Sequence, residues 1–334
     1  MTFVREALGA GAEFDLIREM LSRVRPDGTA GGAKVELGPG DDCAVFSGGR
    51  IAVTTDLCVE GVHYRPEWVS PSEVGFRATV AALSDLAAMS ARPIGVLLSL
   101  AIESDRARSW GPEIAVGVGE AIERYGAVLL GGDLSRAAAG SAVVMDVTAL
   151  GELSEPVLRS GSQPGDHLWV TGTLGGAAAA VAHWMEREGP PPQALRDKFA
   201  RPNARIEESD WLRQHAAVHA MIDLSDGIAS DAGHLASAGG VRVALEGSLL
   251  PVDPGVLDAF GSERGRELAL TGGEDYELAF TAPHGAVESL TEAFEGRFGL
   301  PLTRVGVVTS GTGLHILGAG PGTLSGFDHF GGRG

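Results

Sequence analysis

Acidic residues recur at the ends of apolar runs along this chain, and their placement suggests shared chemistry. The groups are Gly38-Pro39-Gly40-Asp41-Asp42, Thr54-Thr55-Asp56, Ser84-Asp85, Gly131-Gly132-Asp133, Asp223-Leu224-Ser225-Asp226-Gly227 and Gly272-Gly273-Glu274-Asp275-Tyr276. Taken singly, each has an ordinary structural reading. Asp after Gly is turn chemistry, and Ser225 or Asp226 could cap a following helix. Taken together they read differently, because acids that end strands in α/β folds converge at one end of the sheet, where ligands bind. Such a set repels itself unless cations neutralise it. Mg²⁺ suits it, since that ion prefers carboxylate oxygens, keeps several waters and completes its shell with phosphates.

Composition points the same way. The 334 residues contain 26 Lys plus Arg against 44 Asp plus Glu, a formal net charge of −18. That balance argues against non-specific nucleic-acid binding and against a polybasic membrane surface. Only Lys34 and Lys198 are lysines, and neither stands in a G-K-[ST] context, so there is no Walker A loop. No G-x-G-x-x-G, G-x-S-x-G or H-E-x-x-H occurs either. An acidic, lysine-poor chain can hold a polyphosphate through a carboxylate–Mg²⁺–phosphate sandwich, because the metal reverses the local sign of charge. Glycines beside the acids would let backbone N–H groups approach phosphate oxygens. Positioning and charge neutralisation are nearly all that phosphoryl transfer needs.

Other residues carry weaker signals. His63, in Glu60-Gly61-Val62-His63-Tyr64, could bond an anionic substrate or be a plain loop histidine. Arg159 could clamp a phosphate by its fork geometry or lie on the surface. His215 and His219 stand at i, i+4 with no third ligand in sight, which favours a helix surface over a metal. Gly172-Thr173-Leu174-Gly175-Gly176 opens an Ala-rich helix whose N-terminus could receive an anion, although close packing explains the same glycines. The two cysteines, Cys43 and Cys58, have no CxxC spacing, so no zinc site or disulfide framework is expected and a reducing compartment fits.

These residues need elements to position them. Periodicity predicts helices at Asp15–Val24, Ser72–Met89 with Ser72 as N-cap, and Glu113–Tyr125. It predicts strands at Ile51–Thr55, Ile94–Ile102, Ala127–Leu130 and Ala142–Leu150. Pro26–Ala33 reads as a flexible loop. The Gly-, Ser- and Pro-rich stretch Gly151–Asp166 divides the chain into domains 1–150 and 151–334. The second is predicted to hold strands His167–Thr171, Val241–Leu245 and Tyr276–Thr281. Its predicted helices are Gly176–Glu188, Ala204–His215, Ile228–Ala238 and Val287–Phe298. Alternating elements make the fold class α/β (α+β). The N-terminal stretch has no continuous apolar core and no run approaches a membrane span, so the expected location is cytoplasmic.

The strings GPGDDCAVF, TTDLCVEGVHY, LSDLAAM, LLGGD, LRSGSQPGD, MIDLSDGIASD and GGEDYEL, with the terminal GFDHF, resemble thiamine-monophosphate kinases. These belong to the superfamily of aminoimidazole-ribotide synthetase, selenophosphate synthetase and the hydrogenase-maturation dehydratase. GDD and GGD are general to that superfamily. VEGVH, SDLAAM, DLSDG and GGEDYEL are more specific to the kinase.

The resemblance implies transfer of the ATP γ-phosphoryl group to thiamine monophosphate, giving thiamine diphosphate, with several Mg²⁺ ions. It implies an N-terminal mixed-sheet domain that pairs in a homodimer, followed by a C-terminal α/β domain. Carried over by motif, the metal ligands would be Asp42, Thr54, Thr55, Asp56, Asp85, Asp133, Asp223 and Asp226. ATP would meet Gly132, Asp133, Arg159 and Ser225, and the substrate His63, Glu274 and Phe327. Two departures from the family pattern stand out: Leu134 follows GGD where the family has Thr, and Leu324 stands where an aromatic is expected, leaving Phe327 as the nearest. Transfer would be direct and in line, with no general base. The alternatives are another ATP-using superfamily member, acting on a ribotide amide or a selenium species, and a non-catalytic nucleotide-binding scaffold.

Overall fold

The computed structural model describes residues 29–30, 33–37, 41, 43–46 and 50–317. The expected helix at Asp15–Val24, Asp42 and Phe327 lie outside the described residues.

The N-terminal unit is a seven-stranded mixed sheet. Its strands are β1 (Thr29–Ala30), β2 (Ala33–Leu37), β3 (Ala44–Phe46), β4 (Ile51–Val59), β5 (Arg92–Ile102), β6 (Val128–Arg136) and β7 (Val144–Glu152), in the order β1-β2-β3-β4-β7-β5-β6. Among the described strands of this sheet, only β5 and β6 run parallel. The stretch expected as a loop at Pro26–Ala33 contributes β1 and the first residue of β2. β7 alternates strictly: Met145, Val147 and Ala149 are buried, while Asp146 and Thr148 face the other way. That period of two is the signature of a sheet with one covered face.

Helix α1 (Pro71–Ala88) and helix α2 (Ser104–Arg124) cover the buried face. Helix α1 begins one residue before the expected Ser72. Its N-cap is Ser70, in a capping box with Glu73, and Pro71 occupies the first turn. Fourteen of its 18 residues are buried. A helix that is apolar nearly all round belongs in an interior, and α1 touches the first sheet on one side and the C-terminal unit on the other. It meets α2 closely because Gly75 and Gly117 have no side chain: a Cβ at either would strike the facing backbone carbonyl.

The C-terminal unit is a six-stranded sheet with helices. Its strands are β8 (Asp166–Thr171), β9 (Ala220–Asp223), β10 (Arg242–Glu246), β11 (Leu278–Pro283), β12 (Leu302–Thr309) and β13 (Gly313–Leu317), in the order β13-β10-β12-β8-β11-β9. Its helices are α3 (Gly176–Glu186), α4 (Gln193–Ala200), α5 (Ile206–His215), α6 (Ile228–Gly239), α7 (Pro254–Thr271) and α8 (Thr291–Phe298).

One hydrophobic cluster spans both units, joining α1 and the first sheet to Ala177, Leu195 and Phe199 of α3 and α4. At the same seam the indoles of Trp68 and Trp184 stack with centroids 5.0 Å apart and planes within 6°. No described helix is long and apolar enough to cross a membrane.

Candidate functional site

The acids reach the site on elements of both units. Thr54, Thr55 and Asp56 lie on the central strand β4. Alternation sends Thr54 and Asp56 toward α1 and turns Thr55 to the opposite face. Asp85 is on α1, and the Thr54 hydroxyl donates to its Oδ2 at 2.5 Å. Asp223 ends β9, and Ser225 and Asp226 fill the turn into α6.

That turn is laced to the Gly272–Tyr276 loop by backbone bonds. The Glu274 N–H donates to the Ser225 carbonyl at 2.8 Å, and the Tyr276 N–H to that of Leu224 at 2.9 Å. The glycines serve this contact: a Cβ on Gly273 would strike the Ser225 carbonyl, and one on Gly227 would crowd Thr271 at 2.8 Å. Holding the two loops together places Glu274 and Tyr276 at positive φ, 71° and 50°.

A cavity of about 700 Å³ opens between the units. Its walls include Thr55, Asp56, His63 and Asp85 from the first unit, and Asp223, Ser225, Asp226 and Glu274 from the second. Trp68, Phe199, Met185 and Ala178 give it an apolar side.

Burial pushes the Asp56 carboxyl up to about 7, and the negative charge of Glu274 adds to the rise. Asp231 on α6 is driven well above the usual carboxylate range by burial and then by Asp226 and Asp223, with Arg159 opposing. Arg159 therefore bears on the Asp223–Asp226 group although it does not line the cavity. Its backbone N–H donates to Asp41 Oδ2 at 3.2 Å, bringing Asp41 against the C-terminal unit.

The outer face of the first sheet holds the remaining residues. Asp133 is not in a loop after a short strand, as its glycines suggested. Gly131, Gly132 and Asp133 are all inside the long edge strand β6. A Cβ on Gly132 would be driven into the Leu98 carbonyl, so the glycine permits the parallel pairing of β5 and β6. Asp133 registers with Ser99, and Ser99 with Asp146. The Thr55 hydroxyl donates to Asp146 at 2.6 Å. Neither Gly132 nor Asp133 lines the cavity, whereas Thr55 stands at its rim.

Several residues at the site were passed over in the sequence. Arg77 is 3% exposed on α1. It donates to the His63 carbonyl at 2.8 Å and the Phe199 carbonyl at 3.1 Å, pairs with the Glu274 carboxylate, and lies 4.0 Å over the Phe199 ring. The signal was a lone basic residue in a largely apolar helix. Asp146 was signalled by strand alternation in Val144–Leu150.

The weaker candidates resolve structurally. The N-terminus of α3 is already met by the chain's own Asp275, whose Oδ2 accepts from Gly175 N at 2.8 Å. His215 stacks on Trp211, while His219 pairs with Asp166 at 2.9 Å, so the two do not converge. Cys43 and Cys58 are both buried, and neither forms a disulfide.

The mixed sheets, the helices between them and the cavity at their seam define an AIR synthase-related protein. The model for the N-terminal domain of that group matches residues 40–153 and the C-terminal one residues 163–318. Full-length relatives narrow the class. The thiamine-monophosphate kinase of Escherichia coli strain K12 is 34% identical over 332 residues, covering 96% of this chain and 99% of the relative. That of Bacillus subtilis strain 168 is 31% identical over 317 residues, covering 91% and 94%. The chain belongs to the thiamine-monophosphate kinase family.

Solved structures agree. The structure described as "AaThiL complexed with AMPPCP and TMP" superposes with a TM-score of 0.79 at 31% identity, covering 97% of each chain. The enzyme from Stenotrophomonas maltophilia K279a gives 0.74 at 32% identity, covering 93% of this chain and 97% of that one. E. coli HypE, 21% identical with a TM-score of 0.67 over 84% of this chain and 86% of that one, shares the fold.

Proposed function

We propose that the chain transfers the γ-phosphoryl group of ATP to thiamine monophosphate, releasing ADP and thiamine diphosphate. One observation carries the reading: a single cavity lined by acids from both units, in a chain that aligns nearly end to end with thiamine-monophosphate kinases.

The donor set fits Mg²⁺. Asp56, Asp85, Asp223 and Asp226 offer only hard oxygens, as do the hydroxyls of Thr54 and Thr55. Asp56, buried near another carboxylate, has its carboxyl pushed up to about 7, so it titrates near neutral pH, and a bound cation would favour its ionised form. We assign these six residues, with Asp42 and Asp133, to Mg²⁺. The ion, when bound, supplies charge neutralisation between phosphates and carboxylates.

The chain's own residues do the rest. The acceptor is a phosphate monoester with a second pKa near 6, so it is already a dianion at neutral pH and needs no general base. One of its oxygens bonds to Pγ as the bond from Pγ to the ADP oxygen breaks. Arg159, Gly132 and Ser225 are assigned to the nucleotide. Arg159 carries the positive charge that polyphosphate requires.

His63 and Glu274 are assigned to thiamine monophosphate, with Phe327 as the aromatic near the C-terminus. The Val59 N–H donates to His63 Nδ1 at 2.9 Å, so the neutral ring carries its proton on Nε2 and can donate from there. Glu274 is a negative group facing a cationic thiazolium. Trp68 and Phe199 offer apolar surface to its rings.

We further propose a homodimer through the outer face and the exposed edge strand of the first sheet. Leu57, Leu97, Leu129, Leu130 and Leu134 are all exposed there or on its edge strand, and Leu134 is 68% exposed. An apolar surface of that kind marks an interaction site.

The test is an assay for thiamine diphosphate with ATP and thiamine monophosphate, with and without Mg²⁺. Product is expected only with the ion. Asp133→Asn and Asp226→Asn should each lower turnover by several orders of magnitude. Near-normal turnover of both at saturating Mg²⁺ would overturn the reading.

A further inference from the structure

A group of side chains with metal-ligand chemistry lies at the other end of the C-terminal sheet. β11 starts beside the cavity, with Leu278 opposite Asp223, and ends at Pro283 opposite Asp166. Five residue steps along a strand span about 17 Å. At that far end, His284 follows β11 directly, His167 is the second residue of β8, and Glu288 lies in the turn that follows.

The three side chains converge. One donor atom from each falls within 4.8 Å of the others. His167 Nδ1 is 3.0 Å from Glu288 Oε1, and the His167 and His284 rings meet edge to face with centroids 4.7 Å apart. His167 is largely covered, which fixes one donor, while His284 and Glu288 are exposed and free to adjust.

We propose that His167, His284 and Glu288 bind a divalent transition ion, Zn²⁺ by preference. Imidazole donors favour Zn²⁺ over Mg²⁺ or Ca²⁺, so the site differs in chemistry from the all-oxygen cavity. Ligand bonds near 2.0–2.1 Å in a tetrahedron put donors about 3.3 Å apart. Closing the remaining gap takes about an ångström and a half of movement, within reach of side-chain rotation at two surface residues. Three protein ligands leave the fourth position to water. Bound metal would pin the turn at residues 284–290 to β8.

The test uses full-length, metal-stripped protein with Co²⁺ as a visible probe, in excess Mg²⁺ so that the cavity is occupied. One Co²⁺ per chain should give a d–d band, displaced by one equivalent of Zn²⁺ and retained in Asp226→Asn. His284→Ala and Glu288→Gln should each weaken binding about tenfold or more. Zn²⁺ should raise the Tm of the wild type and leave that of His284→Ala unchanged. No Co²⁺ band in the wild type, unaltered affinity in both variants, or loss of the band in Asp226→Asn alone would each overturn the assignment.

Discussion

The guanidinium of Arg77 in the N-terminal unit pairs with the carboxylate of Glu274 in the C-terminal unit. Arg77 also holds the carbonyls of His63 and Phe199, so one buried side chain spans the seam and touches two of the residues assigned to the substrate, His63 and Glu274. Removing one partner of a buried pair leaves the other uncompensated, typically at about 3–5 kcal/mol. Arg77→Met should therefore lower stability by that order and raise KM for thiamine monophosphate more than KM for ATP. Thermal melts and steady-state kinetics would check this. Equal effects on the two KM values would contradict it.

The loop contact at Gly273 makes a sharper demand. Its hydrogen atom faces the Ser225 carbonyl with no room for a methyl group. Gly273→Ala should push the Glu274 loop away from the Ser225–Asp226 turn. We expect at least about a tenfold fall in kcat/KM, from misplacement of about an ångström. Gly296→Ala, where a Cβ meets open space, serves as the control and should be silent.

The raised carboxyl of Asp56 gives a pH signature. Its pKa is about 7 in the folded chain against 3.8 for the unperturbed group, so between those values the folded state binds more protons than the unfolded one. Stability in EDTA should therefore fall as pH rises from about 4 to 7 and level off above. Asp275, also raised to about 7, acts in the same direction. Asp56→Asn should remove its own share, stabilising the metal-free chain above pH 7 by roughly 1–3 kcal/mol. Mg²⁺ should shrink that advantage. Melts of the two proteins across pH, with EDTA and with Mg²⁺, would settle the sign.

The exposed edge strand of the first sheet yields an association test. Leu134 is 68% exposed on the edge strand β6. Leu134→Asp should shift the protein from dimer toward monomer in light scattering at micromolar concentration, with little change in the far-UV circular dichroism of the subunit. An unshifted mass would remove this edge strand from the proposed interface.

Much of this was legible because hydrophobic period and polar punctuation agree in the chain. Helix α1 was visible in Val80, Leu83 and Leu86, and β5, β7 and β8 in their apolar runs. What failed was tertiary in origin. Gly131-Gly132 reads as a turn by local preference, yet the glycines remain extended because β6 must approach the Leu98 carbonyl. Helix α7 was missed although Asp253 caps it and Pro254 opens it, because Gly261 at φ 74° breaks its periodicity. Helix α4, eight residues behind three prolines, was too short to register. The acids Asp56, Asp85, Asp223 and Asp226 were found from type and position. Arg77 was not, since its partners lie 14, 122 and 197 residues away in the chain.

The stacked indoles of Trp68 and Trp184 belong to different units and are two of five tryptophans in the chain. Parallel rings so close couple their electronic transitions, which gives the seam an optical signature of its own. The near-ultraviolet dichroism of that pair would register the two halves parting before either half unravels, with no label attached.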